Sequence, residues 1–348
     1  MRALRVGLIG CGHIGRVVHL GNLRQLPDVE VVAVAETDPE LREATHRAHP
    51  DTQAFSDYRE LLEQPEIDAV VICLPNELHA PAALSALQTG KHVYLEKPMA
   101  INLDDGRRLV EAWRSSGRVA MIGFNFRFSP LNQQMRCKIQ SRRVGELVGG
   151  RSVLTTAPHR MPPWKTKRRT GGGVLLDLAS HHIDLIRFWF DDNVVEVNAS
   201  VRSHRVEADT ATVELRLANG LLVQSFFSMS SIDDDRFEIY GHSGKLSVDR
   251  YNAWDVQFTG VGQGSIARRY LGRVLLSLPR SRFAIRKLLA PAREPSYLAA
   301  LADFVAAAKA NRQTRPDFAD GFHSLATVIA AEESASTGRH VIVPRLCE

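Results

Sequence analysis

An α/β domain built on a parallel sheet, followed by an α+β domain with a large, mostly antiparallel open-faced sheet, is the architecture this sequence predicts. Three observations carry that expectation. Over residues 1–124, short apolar runs alternate with helix-period stretches. After about residue 125 the rhythm changes to successive strands with polar–apolar alternation. The length, 348 residues, suits two domains better than one. The expected division is 1–124 and 125–348.

The first strand is Arg5-Val-Gly-Leu-Ile9, a short apolar run that ends in glycines. A helix pattern follows from Ile14 to Gln25. Val29–Ala35 is the second strand, and Pro39 suits the first position of the next helix. Asp68–Leu74 is a strand stopped by Pro75, and Ala80–Thr89 a helix closed by Gly90. His92–Glu96, the helix Leu103–Ser116 and the strand Val119–Gly123 complete the set. Strands and helices at this rhythm imply right-handed crossovers and a parallel sheet.

Beyond residue 125 one helix spans about Gly173–Phe190. Asp209–Leu217 alternates polar and apolar residues, Asn219-Gly220 signals a hairpin, and Leu221–Met229 returns. Arg236–Tyr240, Lys245–Asp249 and Ala253–Phe258 read as further short strands. Helices resume at Tyr297–Ala310 and Asp320–Thr337, where Gly338 caps the last. The expected sheet is antiparallel with one helix-covered face.

Composition excludes several classes. An apolar fraction of 44% and a charged fraction of 24% are ordinary for a globular protein. No apolar run is long enough to span a bilayer, and no signal-peptide pattern precedes the first strand, so the cytoplasm is the expected location. The four cysteines, Cys11, Cys73, Cys137 and Cys347, lack metal-ligand spacing and read as reduced thiols. The net charge of +5 is local. Arg268, Arg269, Arg273, Arg280, Arg282, Arg286, Lys287 and Arg293 lie in residues 261–293 with no acid among them, and without them the chain is acidic. A nucleic-acid surface spread over the protein is therefore not expected.

Two constellations carry chemistry. Gly10-Cys-Gly12-His-Ile-Gly15 fits G-x-G-x-x-G between a strand and a helix, the context in which a pyrophosphate sits on a helix N-terminus. Glu36 ends the second strand, where an acid accepts hydrogen bonds from the ribose hydroxyls. Its neighbours Thr37 and Asp38 are not basic, which favours NAD over NADP. The other reading of this stretch is a glycine-rich turn and a solvated acid. The second constellation is the run from Gly171-Gly-Gly173 to Phe190. Its helix is apolar over most of its circumference, yet Asp177, His181 and Asp184 share one face. Three ionisable groups on a buried stripe require a reason, either a site or a satisfied polar core. Zinc has little support, since adjacent His181 and His182 point about 100° apart on a helix. Glu96-Lys97-Pro98 sits beyond a strand's carboxyl end, where ligands of open α/β sheets bind. Alone, that lysine would read as surface.

Together with Pro75-Asn-Glu-Leu-His79, Gly123-Phe-Asn125-Phe-Arg127-Phe and Glu333-Ser-Ala-Ser-Thr-Gly-Arg339, these motifs make nearly the whole chain resemble the glucose-fructose oxidoreductase / inositol dehydrogenase / rhizopine-catabolism (Gfo/Idh/MocA) family. The resemblance implies a Rossmann domain, NAD(P), and a sugar or cyclitol whose ring hydroxyl is oxidised or ketone reduced. It assigns Lys97, Asp177 and His181 to the catalytic centre. It implies cofactor contacts from Gly10, Gly12, His13, Ile14, Gly15, Glu36, Leu74, Pro75, Asn76, His79, Glu96, Lys97 and Asn125. Arg127, Trp164, Lys165, His182 and Asp184 are the candidate substrate contacts, and no metal is implied. Histidine suits the general base and lysine the developing charge on the same oxygen. Ala179 stands where the family often has glycine and removes no catalytic group. A homodimer or homotetramer through the C-terminal sheet is expected. The basic segment reads as an arm, solvated or packed on a neighbouring subunit, with an acidic substrate or a membrane surface as the competing readings. Two other functions compete: a glycosidase that oxidises transiently with tightly held NAD and eliminates, and a dinucleotide-binding sensor without catalysis.

Overall fold

The computed structural model describes residues 2–262 and 294–346. Residues 263–293 of the basic segment, and Cys347, lie outside the described residues.

The first sheet has six parallel strands: β1 (Leu4–Ile9), β2 (Val29–Ala35), β3 (Gln53–Phe55), β4 (Ala69–Ile72), β5 (His92–Leu95) and β6 (Ala120–Ile122). Their order is β3-β2-β1-β4-β5-β6, so chain order reverses between β1 and β4 and opens a crevice at their carboxyl ends. Val6, Leu8 and Ile9 of β1, with Val70, Val71 and Ile72 of β4, are fully buried, as central parallel strands must be on both faces. Each such side chain contributes roughly 1.5–3 kcal/mol. The helices are α1 (His13–Leu20, continuing through Gly21–Leu23), α2 (Pro39–Ala48), α3 (Tyr58–Leu62), α4 (His79–Gln88) and α5 (Leu103–Ser116). Asp38 caps α2 by accepting the N–H groups of Glu40 and Leu41, and Pro39 opens it as expected.

After α6 (Pro130–Gln140) come β7 (Leu147–Thr155), a π-helical turn at Leu175–Ala179 that runs into α7 (Ser180–Phe190), and then β8 (Val194–Arg202), β9 (Thr210–Leu217), β10 (Leu222–Ser228), β11 (Asp234–Gly241), β12 (Gly244–Asp249) and β13 (Gln257–Gly260). The chain ends with α8 (Ser296–Ala310), α9 (Phe318–Thr337) and β14 (Val341–Ile342). The second sheet runs β13-β12-β11-β7-β10-β9-β8-β14. Its pairs are antiparallel except β7 with β10. Val223, Phe227, Phe237 and Ile239 join one core with residues of α7 and α9, while Phe226 stands 37% exposed on the open side.

The expected strand Ala253–Phe258 is corrected: it begins only at Gln257. Asp249 accepts the N–H groups of Tyr251 and Asn252, which turns the chain, and Ala253 and Val256 bury themselves within that turn. α8 does not join the second sheet. Its Ala300, Leu301, Phe304 and Val305 pack with Val6, Leu8, Val34, Val71 and Met121 of the first.

Candidate functional site

The glycine loop leaves β1 at the crevice. Gly10 has φ +93°, and a Cβ there would meet the Cys73 carbonyl oxygen at 2.5 Å. A Cβ on Gly15 would stand 1.9 Å from the Gly10 carbonyl oxygen. Both glycines are demanded by packing. Gly12 differs, because a Cβ there would meet nothing within 4 Å among the described residues. α1 opens at once, in π geometry, with no side-chain cap and no acid in its first turn; His13 and Ile14 are exposed. Uncapped amides at the positive end of a helix suit a phosphate. Glu36 stands at the rim with its carboxylate oriented by the backbone N–H groups of Cys11 (2.8 Å) and Asp38 (3.0 Å). Burial, reinforced by Glu36, pushes the Cys11 thiol up to about 11, and burial raises Cys73 well above the usual thiol range, so both stay protonated near neutral pH and are not nucleophiles.

Beyond β4, Leu74 and Pro75 are half-buried in the crevice wall. Asn76 is turned away from open solvent: its Nδ2 donates to the Gly171 carbonyl at 2.7 Å, tying this loop to the glycine triplet. The His79 ring lies between the carbonyls of Pro98 (2.6 Å) and Leu74 (2.8 Å) and is 1% exposed, so it braces the loop instead of reaching the cleft.

Lys97 follows β5 and points at the Asp177 turn. Its Nζ donates to the Asp177 carbonyl oxygen at 2.8 Å and to Oδ1 at 2.9 Å. Lys165 reaches the same carboxylate, at 3.0 Å from Oδ2 and 3.3 Å from Oδ1. Burial alone would raise the Asp177 pKa. The two ammonium groups override it and hold the carboxyl well below its usual range. The group of three therefore carries one net positive charge. Glycines 171 and 172 make this approach possible: a Cβ on Gly171 would sit 2.5 Å from Asn76 Cβ, and one on Gly172 2.2 Å from the Lys165 carbonyl oxygen.

His181 lies one turn on. Its ring stacks on Phe126 at 4.2 Å between centroids and 14° between planes, with the edge of Phe124 at 6.5 Å. Nδ1 is buried with no hydrogen-bond partner among the described residues, which makes Nε2 the nitrogen available to a substrate. Burial, then the charges of Lys97 and Arg250, push its pKa well below the ordinary value; Asp177 opposes them. The imidazole is neutral at physiological pH, as a base must be. Asp177 acts on it through space while its oxygens hold the two lysines.

The structure corrects several expected contacts. His182 is fully buried, Nε2 against Asp235 Oδ1 at 3.1 Å, beneath Phe237. Asp184 binds Arg127 (Nε at 2.8 Å), and Arg127 also reaches Asp320, which takes Arg187 and Arg315 as well. Charges this deep persist only when paired, so Arg127 and Asp184 belong to a buried ion-pair network with Asp320, and His182 pairs separately with Asp235. The Glu96 carboxylate faces His19 Nε2 at 2.6 Å and the Lys97 N–H at 3.2 Å, behind the cleft. A Cβ on Gly123 would press on it at 2.9 Å. Asn125 donates to Ser296 Oγ at 2.8 Å, while its Oδ1 is buried with no partner among the described residues. Trp164 is half-buried, 5.5 Å from Lys165 Nζ. Arg250, Asp235, Glu294 and His19 sit in this assembly with no sequence motif to mark them. Among the described residues no cluster of His, Cys, Asp or Glu could hold a metal, and no helix is long and apolar enough to cross a membrane.

The geometry has counterparts among known proteins. Residues 4–124 match the model of an oxidoreductase family with an NAD-binding Rossmann fold, and residues 132–247 match the Gfo/Idh/MocA C-terminal domain. A 1,5-anhydro-D-fructose reductase of Ensifer adhaerens is 30% identical, over 96% of this chain and 97% of its own. A myo-inositol 2-dehydrogenase of Thermotoga maritima is 28% identical, over 97% and 98%. The fold superposes on a levoglucosan dehydrogenase in complex with NADH with a TM-score of 0.82, at 24% identity, covering 99% of this chain and all of that one. The chain thus belongs to the Gfo/Idh/MocA family of NAD-binding Rossmann-fold oxidoreductases.

Proposed function

We propose that the chain transfers hydride between NAD and a ring hydroxyl or ketone of a sugar, sugar derivative or cyclitol. The observation that carries this reading is one cluster: Lys97 and Lys165 on the Asp177 carboxylate, beside the neutral imidazole of His181.

NAD, when bound, supplies the hydride acceptor. The chain's own residues supply the rest. The open face over Gly12 and the uncapped start of α1, where His13 and Ile14 are exposed, would accept the pyrophosphate. Glu36 would receive the adenosine ribose hydroxyls; Thr37 and Asp38 after it offer no positive charge to a 2′-phosphate, and Arg42 is engaged with the Glu36 and Thr37 carbonyls. Leu74 and Pro75 form the crevice wall, and the orphaned Asn125 Oδ1 is a ready acceptor. His181 Nε2 takes the hydroxyl proton as the carbon–hydrogen bond breaks. Lys97, fixed by Asp177, donates to the same oxygen and offsets charge on it. Lys165 and Trp164 contribute substrate contacts at the mouth. Every relative above is named for a sugar or cyclitol derivative, which supports that class here. The open face of the second sheet, with Phe226 exposed, supports a homo-oligomer, and the three free cysteines among the described residues suit a cytoplasmic setting.

The test is NADH formation, followed by its near-ultraviolet absorbance, with purified protein, NAD and a panel of sugars, cyclitols and sugar nucleotides. Turnover with one substrate, lowered about a thousandfold by His181→Ala, is the expected result. Glycoside cleavage without net NADH would replace it by the oxidise-and-eliminate reaction. NAD binding with no turnover on any compound would favour a sensor.

A further inference from the structure

The residue beneath the proposed base has no assigned role. The Arg250 guanidinium lies 3.9 Å from the centroid of the Phe126 ring, on which His181 is stacked at 4.2 Å. One ring face cannot hold both groups, so the order is imidazole, phenyl, guanidinium. Each layer is anchored separately. Arg250 Nη1 meets Asp235 Oδ2 at 3.3 Å, Nη2 meets Glu294 Oε2 at 2.7 Å, and the Arg250 N–H donates to the Asp235 carbonyl at 2.9 Å. Glu294 Oε1 accepts the Ser296 N–H at 3.2 Å, and Ser296 Oγ takes Asn125 beside Phe126. Asp235 Oδ1 holds His182, the residue after the base. One guanidinium thus joins the end of β12, the start of α8, the Phe126 loop and α7.

We infer that Arg250 is a positioning residue of the site: acting through Phe126, it fixes the plane of the His181 ring, and its charge opposes protonation of that ring alongside burial and Lys97. A cation over an aromatic face is attracted to it, which sets the plane of Phe126 and hence of the stacked imidazole. The same fixed charge disfavours imidazolium. Lys97 and His182 face His181 with the same sense and Asp177 with the opposite one, while Asp235 and Glu294 partly offset Arg250. Unlike these neighbours, Arg250 both holds the plane and bears the charge. The role in turnover rests on His181 being the base; the effect on its titration does not.

The test therefore reads titration without substrate. Histidine labelled with ¹³C at Cε1 gives one signal per ring, and the His181 signal among thirteen is assigned by its loss in His181→Gln. Expected in the full-length Arg250→Met protein is a His181 midpoint raised by about one pH unit, with the acid limb of kcat/KM moving alongside it. Arg250→Lys, which keeps the charge, restores the midpoint and leaves kcat lowered. Should Arg250→Met fail to fold, Phe126→Leu retains the ion pairs and removes the ring; a lowered kcat at unchanged NAD affinity is expected. A folded Arg250→Met, or Phe126→Leu in its place, with an unmoved midpoint, an unmoved limb and an unchanged kcat would overturn the inference. A shifted titration in a protein that oxidises nothing would support it while sinking the dehydrogenase reading.

Discussion

Two glycine-rich loops feed the two halves of the site, and they keep their glycines for different reasons. Both lead into a helix that starts with a π turn, His13–Leu20 after the first and Leu175–Ala179 after the second, a geometry common at functional sites. In the second loop the protein itself demands glycine. Gly171 has φ +94° and faces Asn76, and Gly172 presses on the Lys165 carbonyl. In the first loop Gly10 and Gly15 are equally constrained, yet Gly12 borders open space among the described residues. A glycine that the folded chain does not need marks the surface where something else must come close. The crevice half is shaped for an arriving ligand, and the Asp177 half for its own internal contacts.

Substituting the two kinds of glycine separates these meanings. The largest effect is expected from Gly172→Ala. Its Cβ would stand 2.2 Å from backbone oxygen, which no rotamer change relieves. The loop must shift, carrying Lys165 off Asp177 and opening the hold on Lys97. Activity should fall at least a thousandfold, with a melting temperature several degrees lower (about 2 kcal/mol or more). Normal melting with normal turnover would refute the steric argument. Gly12→Ala should do the reverse. Melting without cofactor stays within about a degree, while the dissociation constant for NAD rises by about tenfold to a hundredfold (about 1.4–2.7 kcal/mol). Calorimetric titration checks it, and unchanged affinity would mean that the pyrophosphate does not approach Gly12.

The same contrast explains what could be read beforehand. The first loop is local: strand, turn and helix lie within Leu4–Leu23, so spacing alone identifies it. The second half is assembled over long separations. Lys97 meets Asp177 80 residues away, Arg127 meets Asp184 57 residues away, and Arg250 meets Glu294 44 residues away. The shared helix face singled out Asp177, His181 and Asp184, and only the family resemblance joined Lys97 to the first two. Periodicity cannot say which charge on a buried stripe faces a cleft. Asp184 and His182 went inward because Arg127 and Asp235 were waiting there. β7 is not legible in the sequence because Gly149 and Gly150 interrupt its pattern, although Ile239 and Val223 of the neighbouring strands fill the space that Gly150 leaves. The turn at Ala253 has a strand's sequence signature because a buried apolar turn carries the same residues as a short strand.

A smaller effect tests the same division through pH. Strands β1 and β4 bury aliphatic side chains, whereas α7 buries His181 and His182, both with pKa values lowered, chiefly by desolvation. Unfolded histidine titrates near 6.5. Below that pH the unfolded chain binds protons that the folded one refuses, so stability falls as pH drops from about 6.5 toward the lowered folded values. Each such ring contributes at most about 1.4 kcal/mol per pH unit. Asp177 and Asp235 are shifted in the same direction but act in a lower pH window. Their lowered pKa values stabilise the fold above about pH 4, and that contribution is lost only as pH falls below it. Between pH 6.5 and 5 the buried histidines change, His79 and His92 of the first domain as well as the pair on α7, whereas neither β1 nor β4 carries one; the raised Asp184 on α7 works the other way. Hydrogen exchange, corrected for its intrinsic pH dependence, should therefore quicken in α7 more than in β1 and β4 over that range. Equal protection in both would show that the two halves unfold as one cooperative unit, with the buried histidines drawing on the stability of the whole chain.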